Sequence, residues 1–339
     1  MRRLVTTAPS VLELSDGPEP TVGPGEALLA IEAVGICGSD IHLYTGDHPY
    51  SRFPTIQGHE FAGRIISLPD DGESGLRVGQ RVAVEPLLTC GTCLPCRRGR
   101  ANCCVRMRTY GSHVDGALRE RMAVPVANLY DADDLPPELA AMVEPMSIGV
   151  HAVSRAGIGA DDTVVVFGAG PIGLAVLLAA RDLGGRVLIT DRFESRLQLA
   201  TVLGADLTVD AASEDVPAAI AAWTAGDGPT VVVEATGVPA VLETAIDVVA
   251  PSGTVVCVGL SAEAVRIPMI TLTRKELTIV GSRNNRGVFG RAADLVRRHR
   301  ERVATLVTHT FELADGPSAF ELAHHSPTTT EKVVIRIRD

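Results

Sequence analysis

The segment "CGTCLPCRRGRANCC", from Cys90 to Cys104, holds five of the chain's seven cysteines. Four of them follow the spacing C-x2-C-x2-C-x7-C, namely Cys90, Cys93, Cys96 and Cys104. Four thiolates within so short a loop fit a closed tetrahedral zinc site of the structural type. Cys103 is adjacent to Cys104, and neighbouring side chains do not normally both point into one small site. We therefore expect Cys103 to be a packed thiol and not a ligand.

A second group of residue types suited to metal binding lies in three short motifs. These are "GICGSDIH", "GHE" and "VEPMSIGVHA", which supply Cys37, Ser39 and His42, then His59 and Glu60, and finally Glu144. A thiolate, an imidazole and a carboxylate suit a zinc site that keeps one coordination position open. Taken singly, each has another interpretation: a small buried hydrophobe for Cys37, a capping residue for His59 and a surface acid beside a helix for Glu144.

A glycine motif follows a Val-rich run and opens a helix-like segment. It comprises Gly168, Ala169, Gly170, Pro171, Ile172 and Gly173. The first glycine makes the tight turn, the second lets the backbone approach a pyrophosphate, and the third lets the helix pack on the strand. The phosphates then lie at the helix N-terminus, where unpaired N–H groups and the helix dipole favour anions. Proline suits the first turn of a helix.

An acid at the end of the next strand strengthens this interpretation. The run "RVLIT" ends at Asp191, about 20 residues after the glycines, where a carboxylate can bind the ribose hydroxyls. Asp191 would repel a 2′-phosphate, so NAD is favoured over NADP, although the adjacent Arg192 could accommodate that phosphate. The other interpretation is an ordinary strand–helix turn with an unrelated surface acid.

Further residues are expected at the border of the cofactor because they lie at strand ends. Ligands of such sheets bind at the carboxyl ends of the strands, and "VEATG" and "CVGL" end two of them. Each could also be an ordinary tight turn. The candidates from this argument, with one arginine of the helix after Asp191, are Arg196, Thr236, Val258, Gly259 and Leu260.

Two different patterns of hydrophobic and turn residues along the chain predict the elements that position these motifs. Residues 1–150 carry short strand-like runs between Gly- and Pro-rich turns. Residues 151–282 alternate strand and helix, and their Val-rich strands predict a parallel, doubly wound α/β sheet. Residues 283–339 end in "EKVVIRIRD", a closing strand for the first domain. The uncharged run at 163–180 contains Gly-Ala-Gly-Pro, so it predicts a buried strand and helix, and no membrane span.

Composition argues against a nucleic-acid-binding zinc ribbon, the alternative for the cysteine cluster. Such a module needs a basic surface with stacking aromatic side chains. The net charge is -10 and aromatics make up 4% of residues, so the surrounding arginines (Arg97, Arg98, Arg100, Arg106 and Arg108) are interpreted as a solvated loop face. The N-terminus does not resemble a secretory signal. We expect a cytoplasmic, reducing location, where clustered cysteines bind metal more often than they form disulfides.

Together, "CGSDIH", "GHE", the four-cysteine lobe, "EPMSIGVHA" and "GAGPIG" occur in an order that resembles the zinc-dependent medium-chain dehydrogenase/reductase family over essentially the whole chain. The resemblance is closest to the sorbitol (polyol) branch, which includes sugar-acid dehydrogenases. It implies an α/β fold with a Rossmann domain (151–282) and a β-rich GroES-like catalytic domain (1–150 and 283–339). A structural zinc lobe is expected at about residues 88–106.

The resemblance also implies a mechanism. Zinc held by Cys37, His59 and either Glu144 or Glu60 would bind a substrate hydroxyl, and hydride would pass to the nicotinamide of NAD. The proton would leave through Ser39, the ribose hydroxyls and His42. The two donor groups predict two zinc ions per chain, and a homodimer or homotetramer follows by analogy with the family. A non-catalytic NAD-binding member of the family is the alternative, although such a protein would be expected to have lost a catalytic ligand.

The substrate class is predicted from the turn "RNNRG", where the nucleotide domain ends. Its guanidinium and amide groups suit several hydroxyls or a carboxylate better than an alkyl tail. The predicted substrate is therefore a polyol, cyclitol or sugar acid, ahead of an amino alcohol such as threonine and of simple alcohols. A solvated basic turn is the other interpretation. The candidate substrate residues are Arg283, Asn284, Asn285 and Arg286, with Tyr110 and His113 as weaker candidates.

Overall fold

The computed structural model describes residues 1–49, 51–69, 75–326 and 330–338. The chain forms two compact units, one of Met1–Glu144 with Phe289–Asp339 and the other of Pro145–Val288. The first division lies inside a helix, before the predicted position after residue 150. The chain returns to the first unit at Phe289, later than the predicted residue 283.

The order of the elements agrees with the two patterns in the sequence, which are short strands in the first unit and alternating strands and helices in the second. The strands are β1 (Arg2–Ala8), β2 (Val11–Asp16), β3 (Glu26–Ile36), β4 (Glu60–Ser67), β5 (Arg81–Val84), β6 (Leu87–Leu88), β7 (Arg108–Thr109), β8 (Arg121–Pro125), β9 (Leu129–Asp131), β10 (Thr163–Phe167), β11 (Arg186–Asp191), β12 (Leu207–Asp210), β13 (Val231–Glu234), β14 (Thr254–Cys257), β15 (Thr278–Gly281), β16 (Val307–Glu312) and β17 (Lys332–Arg336). The helices are α1 (Gly38–Thr45), α2 (Leu94–Arg97), α3 (Pro137–Ala141), α4 (Val143–Ala156), α5 (Pro171–Asp182), α6 (Glu194–Leu203), α7 (Val216–Trp223), α8 (Pro239–Val248), α9 (Met269–Lys275), α10 (Phe289–Arg298), α11 (Arg300–Ala304) and α12 (Gly316–His325).

The main sheet of the first unit has the order β16-β17-β3-β4-β5-β9, with β8 also paired to β3. Strand β3 alternates buried and half-buried residues along most of its length, as a strand with one face in a core should. The register pairs Gly35 of β3 with Glu60 of β4, and Val333 of β17 with Ile36. Three strand ends that are distant in sequence therefore meet beside Cys37.

The sheet of the second unit is parallel in the order β12-β11-β10-β13-β14-β15. Strand β13 (Val231–Glu234) is buried throughout and β10 is buried beyond its first residue, because helices cover both faces of such a sheet. The doubly wound fold predicted from the sequence is confirmed. The uncharged run at 163–180 forms β10 and most of α5, also as predicted. Within the described ranges, no helix has the length and apolar character needed to cross a membrane.

Candidate metal and nucleotide sites

The four-cysteine lobe is a loop closed by the short antiparallel pair β6–β7. The sulfur atoms of Cys90, Cys93, Cys96 and Cys104 all lie within 4.8 Å of one another. Sγ of Cys93 is 3.4 Å from that of Cys96 and 3.8 Å from that of Cys104. Four sulfurs around one zinc are separated by about 3.8 Å, so this donor set fits a tetrahedral zinc. Cys103 is outside the group.

Local hydrogen bonds favour the thiolate form at Cys90, whereas burial and the other sulfurs raise the pKa of Cys96 to about 12. The backbone N–H groups of Cys90 and Arg106 each approach Sγ of Cys104 to 3.4 Å. Hydrogen bonding from the Arg106 side chain, followed by backbone N–H groups, lowers the pKa of Cys90 to about 5. Donors that favour thiolate favour a metal there as well, because the thiolate is the metal-binding form.

The second donor group forms where β3 ends and β4 begins. Cys37 is the N-cap residue of α1, and His59 directly precedes β4. Donor atoms of Cys37, His59 and Glu60 lie within 4.8 Å of one another. A sulfur, an imidazole nitrogen and a carboxylate oxygen at this spacing fit a three-ligand zinc site. Gly58, before His59, has φ +95°, a conformation that side chains disfavour, and a Cβ there would lie 2.6 Å from Val34.

Asp40 orients this centre, and the sequence analysis did not select it. It is 1% exposed and accepts a hydrogen bond of 3.0 Å from the backbone N–H of Cys37. Its Oδ2 lies 3.4 Å from Nδ1 of His59, which leaves Nε2 as the nitrogen for a metal. Burial alone would lower the pKa of His59, but Asp40 and then Cys37 raise it well above its ordinary value. The surroundings therefore favour positive charge at this imidazole, which a bound cation also supplies.

Lys332 pairs with Glu60 of this donor group, and the sequence analysis did not select it. Its Nζ lies 2.7 and 2.6 Å from the two carboxylate oxygens of Glu60, and both side chains are almost fully buried. A third hydrogen bond of 3.3 Å runs to the backbone oxygen of Ile36. The dipeptide "EK" at the start of the closing strand contains this lysine. Its position beside Glu60, however, follows only from the strand register.

Glu144 lies near the start of α4 and is 8% exposed. Burial first, opposed by His59 and reinforced by the charge of Glu60, raises the pKa of Glu144 to about 7. Glu144 therefore lies near enough to His59 and Glu60 for their charges to shift its pKa. Its carboxylate is nevertheless outside the group formed by Cys37, His59 and Glu60.

Ser39 and His42 are three residues apart on α1, so they lie on one face of the helix. Ser39 is half-buried and His42 is exposed. The backbone oxygen of His42 accepts a hydrogen bond of 3.1 Å from the N–H of His48. On this face of the helix, the exposure of the side chains therefore increases from Ser39 to His42.

The glycine motif forms the turn between β10 and α5 in the second unit. Gly168 has φ +96°, and a Cβ on Gly173 would overlap the backbone oxygen of Gly168, so only glycine fits at either position. Gly170 is the N-cap residue of α5, with Pro171 as its first residue and Ile172 next. This arrangement leaves the helix N-terminus open to a phosphate.

Asp191 ends β11 and is fixed beside the glycine turn. Its Oδ2 accepts a hydrogen bond of 2.8 Å from the N–H of Ala169, and its Oδ1 accepts from the N–H groups of Arg192 and Phe193 at 2.8 and 3.0 Å. Nη1 of Arg196 lies 3.7 Å from Oδ2. The carboxylate retains lone pairs for further donors such as ribose hydroxyls.

A cavity of about 700 Å³ lies at the carboxyl ends of the strands, beside the glycine turn. This volume is typical of cofactor pockets. Gly168, Gly170, Asp191, Arg196 and Thr236 are among its lining residues. Val258, Gly259 and Leu260 follow β14 and contact the turn that contains Thr236, where a Cβ on Gly237 would lie 2.6 Å from the backbone oxygen of Leu260.

The candidate substrate residues fall in different environments. Arg283 is exposed and Asn284 has φ +49°, in the turn after β15. Asn285 is 1% exposed, and neither atom of its amide has a hydrogen-bond partner among the described residues. Nδ1 of His113 lies 3.3 Å from the N–H of Thr109.

Tyr110 differs from the expectation. It is 6% exposed and packs edge-on against Phe61, with ring centroids 6.1 Å apart. Burial raises its pKa to about 12. This environment indicates a packing role in the core of the first unit, because the ring lies among apolar side chains.

Comparison with known proteins gives matches over both units. Residues 23–134 match the alcohol dehydrogenase GroES-like domain, and residues 171–298 match the zinc-binding dehydrogenase family. L-galactonate-5-dehydrogenase of Escherichia coli is 35% identical over 95% of this chain and 94% of its own length. L-threonine 3-dehydrogenase of Saccharopolyspora erythraea is 33% identical over 95% of this chain and 96% of its own. The alcohol dehydrogenase RspB of Escherichia coli, solved with NADH, has a TM-score of 0.92, 31% identity and 99% coverage of both chains.

Proposed function

Because the chain belongs to the zinc-dependent medium-chain dehydrogenase family, we propose that it transfers a hydride between NAD and a secondary alcohol of a polyol, cyclitol or sugar acid. The observation that carries the proposal is the convergence of the Cys37, His59 and Glu60 donor atoms. Relatives that are named alcohol and sugar-acid dehydrogenases support the same class of chemistry.

We propose Cys37, His59 and Glu60 as the protein ligands of a catalytic zinc, with Glu144 as the alternate acid. When bound there, zinc supplies the Lewis acidity that makes an alcohol hydroxyl acidic. Lys332 holds the Glu60 carboxylate in place, and Asp40 holds the His59 ring with one nitrogen directed to the metal. A second zinc in the four-cysteine lobe completes the predicted pair.

Ser39 and His42 are proposed to carry the released proton towards solvent. Ser39 is close in sequence to Cys37, and His42, on the same face of α1, is exposed. A hydroxyl both donates and accepts hydrogen bonds, and an imidazole titrates near neutral pH. The two side-chain types are therefore suited to pass a proton in sequence.

NAD is the proposed cofactor because a carboxylate lies where the ribose hydroxyls are expected. Asp191 lines the cavity beside the glycine turn. A 2′-phosphate would add like-charge repulsion. Arg192 and Arg196, which both approach the Phe193 ring, moderate that repulsion, so we expect a preference for NAD and not complete exclusion of NADP.

Polyhydroxylated substrates are favoured by the turn after β15. The buried amide of Asn285 has one acceptor and two donor positions unused, and Arg283 adds an exposed guanidinium. A vicinal diol or a carboxylate can form hydrogen bonds with these groups, whereas an alkyl chain cannot. Threonine is the second candidate substrate, since a threonine dehydrogenase is nearly as similar to this chain as the galactonate enzyme is.

A panel of polyols, sugar acids, threonine, ethanol and benzyl alcohol, each assayed with NAD and with NADP, tests the proposal. We expect the highest kcat/KM for a polyhydroxylated compound with NAD. Arg283→Ala should raise KM for that compound with little effect on the KM for NAD. Arg274→Ala, a change of another arginine of the same unit, is the matched control and should leave both unchanged. Efficient oxidation of simple alcohols alone would contradict the substrate class.

A homodimer or homotetramer is proposed by analogy with the family. Strand β15 is an edge of the six-stranded sheet, and most of its residues are exposed. An edge strand offers unpaired N–H and C=O groups to a second copy. Light scattering at several protein concentrations measures the assembly, and a monomer throughout would contradict the proposal. The cytoplasmic location remains a prediction.

A further inference from the structure

Glu234, the last residue of β13, connects the two turns that follow β13 and β14. Its Oε1 accepts hydrogen bonds from the N–H groups of Thr236 and Gly237 at 2.6 and 2.9 Å, and from the hydroxyl of Thr236. Its backbone oxygen accepts from the N–H groups of Val258 and Gly259 at 2.9 and 3.0 Å. One residue therefore fixes the spacing of two adjacent strand ends.

The buried charge of Glu234 goes beyond what a hydrogen-bonding brace requires. The residue is 2% exposed, and no ion pair reaches it within the described part of the chain. A glutamine oxygen could accept the same three hydrogen bonds without the cost of burying a charge. Burial, and after it the charge of Glu234, raises the pKa of the neighbouring Cys257.

The strand order indicates which part of the cofactor Glu234 faces. Asp191 ends β11, the glycine turn follows β10, and β13 is the next strand on the other side of β10. A dinucleotide spans the carboxyl edge of such a sheet across the point where the strand order reverses. With the adenosine ribose at β11 and the pyrophosphate at β10, the nicotinamide half would lie over the ends of β13 and β14.

The nicotinamide ring carries a positive charge in NAD⁺ that it lacks in NADH. A buried carboxylate in the turn beneath the ring would interact with that charge in surroundings that screen it weakly. The hydrogen bonds to Thr236 and Gly237 keep the carboxylate at a fixed position below the cofactor turns. A charge fixed there would make cofactor affinity depend on the oxidation state of the ring.

We propose that Glu234 is a positioning residue that favours the oxidised cofactor, by holding the two turns together and presenting a buried negative charge to the nicotinamide half. The inference rests on the proposed use of NAD. Its consequence is that the ratio of the Kd values for NADH and NAD⁺ depends on the charge of this side chain and not only on its shape.

Glu234→Gln tests the role of the charge, because it keeps the acceptor oxygen. Kd is measured for NADH by fluorescence titration and for NAD⁺ by calorimetry, on the zinc-loaded protein without substrate. We expect Kd for NAD⁺ to rise about tenfold while Kd for NADH changes less than about twofold. Thr236→Val is the matched control. It removes the hydroxyl's hydrogen bonds to Glu234 and from the N–H of Val238 and leaves the charge, so it should weaken binding of both forms by the same factor.

Equal weakening of both forms by Glu234→Gln, or no change in either, would overturn the inference and leave only a structural brace. If thermal denaturation shows that the Gln variant does not fold, Glu234→Asp decides. It keeps the charge, so its Kd ratio must stay within about threefold of the wild type, and a larger shift overturns the inference. Wild-type protein that binds neither form refutes the NAD proposal as well. Binding of NADP alone refutes only the NAD proposal, and the same ratio is then measured with NADP⁺ and NADPH.

Discussion

The four-cysteine lobe takes all its donors from one loop, whereas the Cys37 centre takes them from two segments, after β3 and at the start of β4, and surrounds them with buried charges. In the lobe, most of the sulfurs are half-exposed and their partners are nearby residues such as Arg106. In the centre, Asp40 and Lys332 support His59 and Glu60, and Lys332 comes from β17 near the end of the chain. A local site can be lost without changing the fold elsewhere, while the centre depends on the packing of its unit.

Cys37→Ser should have the largest effect, on activity alone. Loss of the thiolate removes a ligand, and a fall in kcat/KM of at least about 10³-fold is expected. The melting temperature should change by less than about 2 °C, because the substitution is nearly isosteric. Steady-state kinetics and thermal denaturation measure the two effects. Cys103→Ser is the matched control and should leave both unchanged; a similar loss of activity there would remove Cys37 from its assigned role.

Lys332→Met should destabilise the zinc-free protein by about 3–5 kcal/mol, because it leaves the Glu60 carboxylate buried without its cation. Chemical denaturation gives the free energy of unfolding. The double variant Lys332→Met with Glu60→Gln should recover much of that loss, since neither residue then carries a charge. Equal loss in the single and double variants would show that Lys332 acts through packing and not through its pairing with Glu60.

Cys93→Ser should reverse the pattern of Cys37→Ser. The lobe loses a zinc ligand, so the melting temperature should fall by about 6–12 °C. The kcat of the folded fraction should stay within about threefold, because the lobe's cysteines form a donor group separate from that of Cys37. Zinc analysis should fall from about two ions per chain to one. Lost turnover with unchanged stability would mean that the roles of the two sites are exchanged.

Asp40→Asn should have the smallest effect of the four, on metal affinity. The amide keeps the shape but loses the charge that supports His59, and zinc affinity should fall about 10–100-fold. Competition with a chromophoric chelator measures the affinity of each site. The lobe should keep its affinity in the same experiment, and a loss at both sites would indicate general unfolding.

Sequence patterns predicted the elements of both units and the four cysteines whose sulfurs come together in the lobe, because those signals are local. The spacing of Cys90, Cys93, Cys96 and Cys104 lies within one loop, and the glycine motif lies within one turn. The two acids were less accessible to such reasoning, since the sequence left Glu60 and Glu144 as equal alternatives. Tyr110 showed the same limit, because a sequence motif does not reveal that the ring packs on Phe61.

By itself, the sequence determined which residue types are available and how near they are along the chain: the cysteine spacing, the glycine turn and the acid at the end of β11. The tertiary structure decided which distant residues meet. The register of β3 with β4 and β17 brings Cys37, Glu60 and Lys332 together, and the parallel pairing of β13 with β14 joins Glu234 to the turn after Cys257. The physical reason is that such contacts depend on pairing between strands far apart in the chain, which no local propensity specifies.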